Sequence, residues 1–185
     1  MYFIKRITLL TIALTLGACS VAPPKYAPSY KNVQVLKEAN QPVEVAPFKG
    51  VNTSVGAITI RASPLSSPYG KDLVHYIQTA LESEFTKAGL LKKGSSTKLT
   101  AVIEENDLDT SSDFSVGKGV LKAKFKVTKQ GNAVYNKSIS VTSSWESSFI
   151  GAIAIPGAAE AYPKLVEKLL KKLYSDKSFI NSLKG

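Results

Sequence analysis

Between Leu121 and Thr128 apolar and polar residues alternate without a break: Leu121, Ala123, Phe125 and Val127 take one parity, Lys122, Lys124, Lys126 and Thr128 the other. Side chains on a β-strand point to opposite faces in turn, so this segment can bury its apolar half only in a sheet covered on one side and wet on the other. A helix would scatter the same residues around its axis. The segment is read as the middle of three strands, over about 98–108, 117–129 and 133–146, with a turn at Gln130-Gly131-Asn132 joining the last two.

Helical spacing governs two further stretches. Leu73, Ile77, Ala80, Leu81, Phe85 and Ala88 form one apolar stripe, with Ser67 and Pro68 as start signals and Gly89 as the stop. Tyr162, Leu165, Val166, Leu169, Leu170 and Leu173 form a second, with Lys164, Lys168, Lys171 and Lys172 largely on its outer side. A short last helix over 176–183 is capped by Asp176 or Ser175. A β-branched run from Ser54 to Arg61 supplies the first strand. Strand, helix, three strands and helix predict an α+β fold, a two-layer α/β sandwich whose mainly antiparallel sheet of about four strands carries two main helices on one face. If the first two strands are neighbours, the helix between them makes a right-handed crossover. The helix-free face then presents the lysines, and basic charge is expected to gather there.

The opening residues concern location. Lys5 and Arg6 precede an apolar or Thr-containing run from Ile7 to Leu16, followed by small residues, which is the order of a secretory signal. That run is about half the roughly 20 residues a bilayer-spanning helix needs. Leu16-Gly17-Ala18-Cys19 resembles the lipobox of bacterial lipoproteins, in which the cysteine receives diacylglycerol and becomes the acylated N-terminus. Cys19 is also the only cysteine, so the domain cannot form an internal disulfide and relies on its core. The expected organisation is a lipoprotein-type signal peptide over 1–18, a lipidated, proline-bearing tether over 19–50, and a periplasmic α/β domain over 51–185. Five of the nine prolines fall in the tether, which reads as mostly unpacked, although Val33, Val35 and Leu36 could form a short edge strand. By resemblance to enterobacterial lipoproteins, Ser20 after the cysteine implies export to the outer membrane. Loss of Lys5 and Arg6 with the signal lowers the formal charge from +10 to +8. A basic protein in that compartment can meet anionic headgroups, lipopolysaccharide phosphates or peptidoglycan carboxylates, whereas nucleic acid lies elsewhere.

These features together resemble the YajG family of bacterial lipoproteins. The likeness rests on the lipobox, the proline-bearing leader, the valine-rich first strand, "LVHYIQTALESEFTKAG", the strand with Val102, Ile103 and Asn106, "KAKFKVTKQGNAVYNKSISV" and "LLKKLYSDKSFINSL". It implies an outer-membrane location and this type of fold, and it brings no catalytic residues. Phe149–Gly157 is more apolar than the resemblance leads one to expect.

No residue pattern specifies a reaction. His75 lacks companions for base catalysis or metal ligation and reads as a surface or half-buried helix residue. Glu104, Glu105, Asp107, Asp109 and Asp113 gather carboxylates without the glycine-containing loop of an EF-hand, and strict alternation sends Glu104 and Glu105 to opposite faces. Ser143, Ser144, Ser147 and Ser148 stand in no nucleophile elbow, and Gly117-Lys118-Gly119 is no phosphate loop. A non-enzymatic protein with no cofactor and no metal is therefore expected. Two groups remain for partner binding: Trp145, Phe149 and Ile150 as aromatic and aliphatic anchors, and Lys122, Lys124 and Lys126 as an anion-binding face. Buried strand residues and a solvated, aggregation-resistant sheet face explain the same residues without a partner. The expected partners are a membrane, through the N-terminal lipid, and an envelope protein or anionic envelope polymer. An auxiliary lipoprotein of an ABC-type lipid or polymer transport system is the first alternative, an envelope hydrolase the second.

Overall fold

Three long strands build the sheet that the alternation demands. The computed structural model describes residues 20–185, so the expected signal peptide and Cys19 lie outside the described residues. In chain order the elements are α1 (Tyr30–Leu36), β1 (Glu44–Val45), β2 (Lys49–Gly50), a 3₁₀ turn (Ser54–Gly56), β3 (Ile58–Ile60), β4 (Ser63–Leu65), α2 (Leu73–Ala88), β5 (Thr97–Asp109), β6 (Val116–Lys129), β7 (Asn132–Glu146), α3 (Gly151–Ser175) and α4 (Lys177–Ser182). Strands β5, β6 and β7 pair antiparallel in sequence order, while β1 and β2 run parallel to β5 along its other edge. The expected α+β sandwich is present: a mainly antiparallel sheet with helices on one face.

Leu121, Ala123, Phe125 and Val127 are all fully buried beneath the helices. The α3 stripe of Tyr162, Leu165, Val166, Leu169, Leu170 and Leu173 closes over them. Gln130 and Gly131, at φ +50° and +86°, make a two-residue turn of left-handed backbone, which matches the right-handed twist of the strands it joins. Gly89, at φ +77°, ends α2 and lets the Leu90 N–H reach the Phe85 carbonyl at 2.9 Å. Asp176 caps α4: Oδ1 accepts the Ser178 N–H at 2.9 Å, and Oδ2 accepts from Lys137 Nζ at 3.0 Å. Burial opposes its charge, but the hydrogen bonds from Ser178 and Lys137 outweigh that and hold the carboxyl well below the usual carboxylate range.

Three departures from the sequence expectation shape the fold, beside the helical rather than extended backbone of Val33, Val35 and Leu36 in α1. First, Ser67 and Pro68 do not start α2. Ser67 instead heads a turn, its carbonyl accepting the Gly70 N–H at 3.2 Å, and Asp72 caps the helix by taking the His75 N–H at 2.9 Å. A carboxylate there satisfies an orphan donor and complements the helix dipole at once. Second, the run from Ser54 to Arg61 does not enter the main sheet. Its strand β3 folds back on β4 as a separate two-stranded ribbon, because β1 and β2 already occupy the edge of β5. The crossover through α2 thus leads from β1 and β2 to β5.

Third, residues 19–50 do not form an unpacked tether over the part described. Leu36 and Val43 are fully buried, and Tyr26, Val33 and Phe48 nearly so. Val21 is bridged to β4, and the Tyr76 hydroxyl donates to the Pro24 carbonyl at 2.8 Å. The prolines fix extended backbone that lies along the domain. Glu84 of α2 fastens this segment. It is fully buried, and its Oε1 accepts from the Tyr26 hydroxyl (2.7 Å), the Ser29 N–H (3.0 Å) and Asn32 Nδ2 (3.2 Å). Burial raises the Glu84 pKa above the usual 4.5, the hydrogen bonds opposing it.

Glu84→Ala, by leaving buried donors without an acceptor, should lower stability by about 3 kcal/mol in urea unfolding. Because the folded-state pKa is raised, the stabilisation linked to Glu84 is full below the unfolded value and is lost as pH rises through the folded one. Wild type should accordingly lose stability relative to Glu84→Gln as pH rises above 4.5. A constant difference between the two across that range would contradict this account.

Candidate functional site

The open sheet face is charged with both signs. Lys122, Lys124 and Lys126 project from β6 on the side away from the helices, as alternation requires. A register shift in β5 between Ile103 and Glu105 leaves two consecutive residues off the core, so Glu104 and Glu105 do not fall on opposite faces. The bulge resets the parity, and Asn106 points inward, where Nδ2 donates to the Val55 carbonyl at 2.8 Å. Glu105 therefore pairs across from Lys122 and Asp109 from Lys118, while Glu104 lies 3.4 Å from Lys122 Nζ. Carboxylates of β5 thus meet lysines of β6, and the open face is not the concentrated basic surface that its lysines alone suggest.

A second group of lysines collects elsewhere. Strand β7 has no second neighbour in the sheet among the described residues. Along its outer edge Lys168 Nζ donates to the Thr142 carbonyl at 2.7 Å and Lys172 Nζ to the Ser140 carbonyl at 2.8 Å. Both lysines come from α3, one helical turn apart, which matches the spacing of alternate carbonyls along the strand. Between helix and edge runs an open trench of about 440 Å³, lined by Lys168, Lys171 and Lys172 with Ser140, Thr142 and Ser175 and, among the described residues, by no carboxylate; Lys168 and Thr142 also border an adjoining hollow that holds Asp107 and Asp109. The sequence pattern placed these lysines on the outside of a helix, but only the packing of α3 brings them to a strand edge.

The three anchor candidates separate. Phe149 and Ile150 stand exposed where β7 passes into α3. Trp145 faces the helix side and packs on Gly117, where a Cβ would overlap the indole. Around Phe149, the guanidinium of Arg61 donates to the carbonyls of Phe149 (2.6 Å), Ser148 (2.7 Å) and Thr110 (2.7 Å) and stacks over the Phe114 ring at 5.3 Å. Arg61 thereby ties the β3–β4 turn to the two loops at this end of the sheet. Nothing in the spacing around Arg61 marked it.

The remaining candidates do not converge. His75 is half-buried on α2 beside an open groove shared with Lys49, Lys71 and Asp72. Asp109 and Asp113 turn their carboxylates onto nearby backbone N–H groups of Ser111, Ser112 and Ser115. Among the described residues no group of three His, Cys, Asp or Glu side chains is placed to hold a metal ion.

No family model matches the chain, and no curated protein matches it in sequence. The resemblance to YajG therefore stands on the quoted residues alone. Among solved structures, the chain is similar to protein XCC0632 from Xanthomonas campestris, assigned to the family DUF330, with a TM-score of 0.60 at 13% identity, covering 87% of this chain and 92% of that one. A protein from Caulobacter crescentus CB15 aligns with a TM-score of 0.48 at 10% identity, covering 80% of this chain and 93% of that one. A minor lipoprotein from Acinetobacter baumannii aligns with a TM-score of 0.44 at 11% identity, covering 78% and 96%. At 13% identity the Xanthomonas likeness is one of fold: this helix-covered, mainly antiparallel sheet recurs in another solved protein.

Because Trp145 is the chain's one tryptophan, its packing can be read directly. Gly117→Ala should displace the indole, shift its fluorescence to longer wavelength and cost roughly 2 kcal/mol of stability through overpacking. An unchanged emission spectrum would show that the indole does not rest on Gly117.

Proposed function

We propose that the protein is a lipid-anchored, non-enzymatic binding module of the cell envelope, held at the outer membrane through Cys19, facing the periplasm, and receiving an anionic envelope polymer in the trench between α3 and β7. The observation that carries the binding reading is that three lysines line this trench and no carboxylate does. Lys168 and Lys172 are oriented by edge carbonyls, and Lys171 has no such engagement. Clustered cations beside exposed strand backbone suit phosphate or carboxylate groups repeated along a polymer. The anchor reading is supported by Leu16-Gly17-Ala18-Cys19 after a short apolar run, and the outer-membrane reading by Ser20. No helix among the described residues is long and apolar enough to cross a membrane.

The narrower reading, an auxiliary lipoprotein of an ABC-type transport system, gains from β7, whose edge offers a partner protein backbone hydrogen bonds between the capped carbonyls. Affinity capture from solubilised membranes should then return a permease or ATPase, and its consistent absence would count against that role.

For the binding reading, Lys171→Glu should weaken salt-sensitive binding of the full-length protein to lipopolysaccharide or peptidoglycan fragments, while Lys124→Glu on the open sheet face should leave it nearly unchanged. The reverse order would move the site to the open face. For the anchor, labelled palmitate should enter the wild type and not Cys19→Ser, and equal incorporation into both would exclude acylation at Cys19.

A further inference from the structure

The end of the molecule organised by Arg61 exposes apolar side chains that the core does not use. Phe149 is 75% exposed, Ile153 58%, Ile150 57% and Phe114 48%. They are contiguous. Phe114 and Phe149 meet edge to face with ring centroids 5.1 Å apart, and Ile150 and Ile153 flank the first turn of α3, where the Ile153 N–H donates to the Ile150 carbonyl at 3.0 Å. That turn, Gly151 to Ala154, carries no charged residue. Exposed apolar clusters of this kind mark contact surfaces.

The path of the N-terminal backbone indicates what covers this one. Val21 forms a parallel bridge with Leu65, its N–H donating to the Pro64 carbonyl at 3.1 Å and its carbonyl accepting the Ser66 N–H at 2.8 Å. In a parallel pairing, the chain entering Val21 comes from the side where β4 begins, which is the Arg61–Ala62 turn. The Arg61 guanidinium in turn touches the Phe149 carbonyl. Cys19 stands two residues before Val21, within about 7 Å of chain. So short a stretch would bring a lipid on that cysteine to the Arg61 side of the domain, where the apolar cluster lies.

We propose that Phe149, Ile150 and Ile153, braced by Phe114 and Arg61, form a membrane-contacting tip that enters the interfacial layer of the leaflet holding the Cys19 lipid; this rests on the lipid-anchor reading above. Aromatic and branched aliphatic side chains suit the headgroup boundary. The tip is firmly built. Arg61 and Ala62 occupy left-handed backbone, φ +46° and +67°, which costs energy for residues with a Cβ, and the three carbonyl contacts of Arg61 offset that cost. Arg61 brings positive charge and the neighbouring Asp109 and Asp113 negative charge, so apolar burial, not attraction to anionic lipid, drives the contact.

The test uses the full chain, processed in cells and reconstituted in vesicles of phosphatidylethanolamine and phosphatidylcholine. With Cys19 consumed by its lipid, Ile150→Cys supplies the sole free thiol for an environment-sensitive fluorophore, and Lys124→Cys on the open sheet face supplies the control. The fluorophore at 150 should emit at shorter wavelength and be quenched by spin-labelled lipids several-fold more than the one at 124. Equal quenching at the two sites in protein whose N-terminal peptide carries acyl chains would overturn the tip and leave the anchor standing. A shorter-wavelength emission without lipid quenching would assign the shielding to a second copy of the chain and likewise overturn it. If Cys19 proves unacylated, flotation of wild type with the vesicles, abolished by Phe149→Ser with Ile150→Ser, would uphold the tip without the anchor. Failure to float would overturn both.

Discussion

The packing of the leader is organised around one buried acid, Glu84. Glu84 offers a single oxygen to three donors from residues 26–32, and in an interior of low polarity each of those donors has a strong demand for it. Meeting that demand draws the proline-bearing segment against α2. Once Tyr26, Ser29 and Asn32 are fixed, α1 can bury Val33 and Leu36, and the chain beyond it is delivered to the edge of β5 as β1 and β2. The parallel edge of the sheet, the crossover through α2 and the docking of Val21 on β4 all depend on a segment that composition alone would leave in solvent.

This arrangement bears on the anchoring proposed at Cys19. A long flexible leader would let the domain tumble well away from a bilayer. A leader packed from Val21 onward leaves no long flexible spacer, among the described residues, between the domain and the attachment proposed at Cys19. Surface features then acquire a direction. In the anchored state proposed above, the Arg61-organised end faces the attachment point, and the α3–β7 trench runs along the side of the sheet. The bulge in β5 contributes by placing Glu104 and Glu105 together on the open face, beside Lys122 of β6.

Much of the architecture was legible because it depends on neighbours close in sequence. Alternation from Leu121 to Thr128, the stripe from Leu73 to Phe85, the stop at Gly89 and the cap at Asp176 are local, and each appears where the pattern put it. Legibility failed where a residue's partner is remote. Tyr26 and Glu84 are 58 positions apart, and no window on the leader reveals that its tyrosine will find an acceptor. One clue was present: Glu84 falls four residues after Ala80 and seven after Ile77, on the apolar side of the helix, where an acid needs a partner. The β5 bulge shifts parity by a single residue inside an otherwise regular run, and side-chain type alone does not announce it.

The sequence by itself determined the sheet with one wet face, the helices that cover the other, and a lipobox-like Cys19 as the lone thiol, since periodicity and short motifs are properties of adjacent residues. Only the tertiary structure decided that the leader is part of the core, that Trp145 is packing while Phe149 and Ile150 are surface, and that the lysines of α3 meet the edge of β7. Those outcomes depend on which distant groups satisfy one another's hydrogen bonds and fill one another's space, and that is settled only when the layers come together.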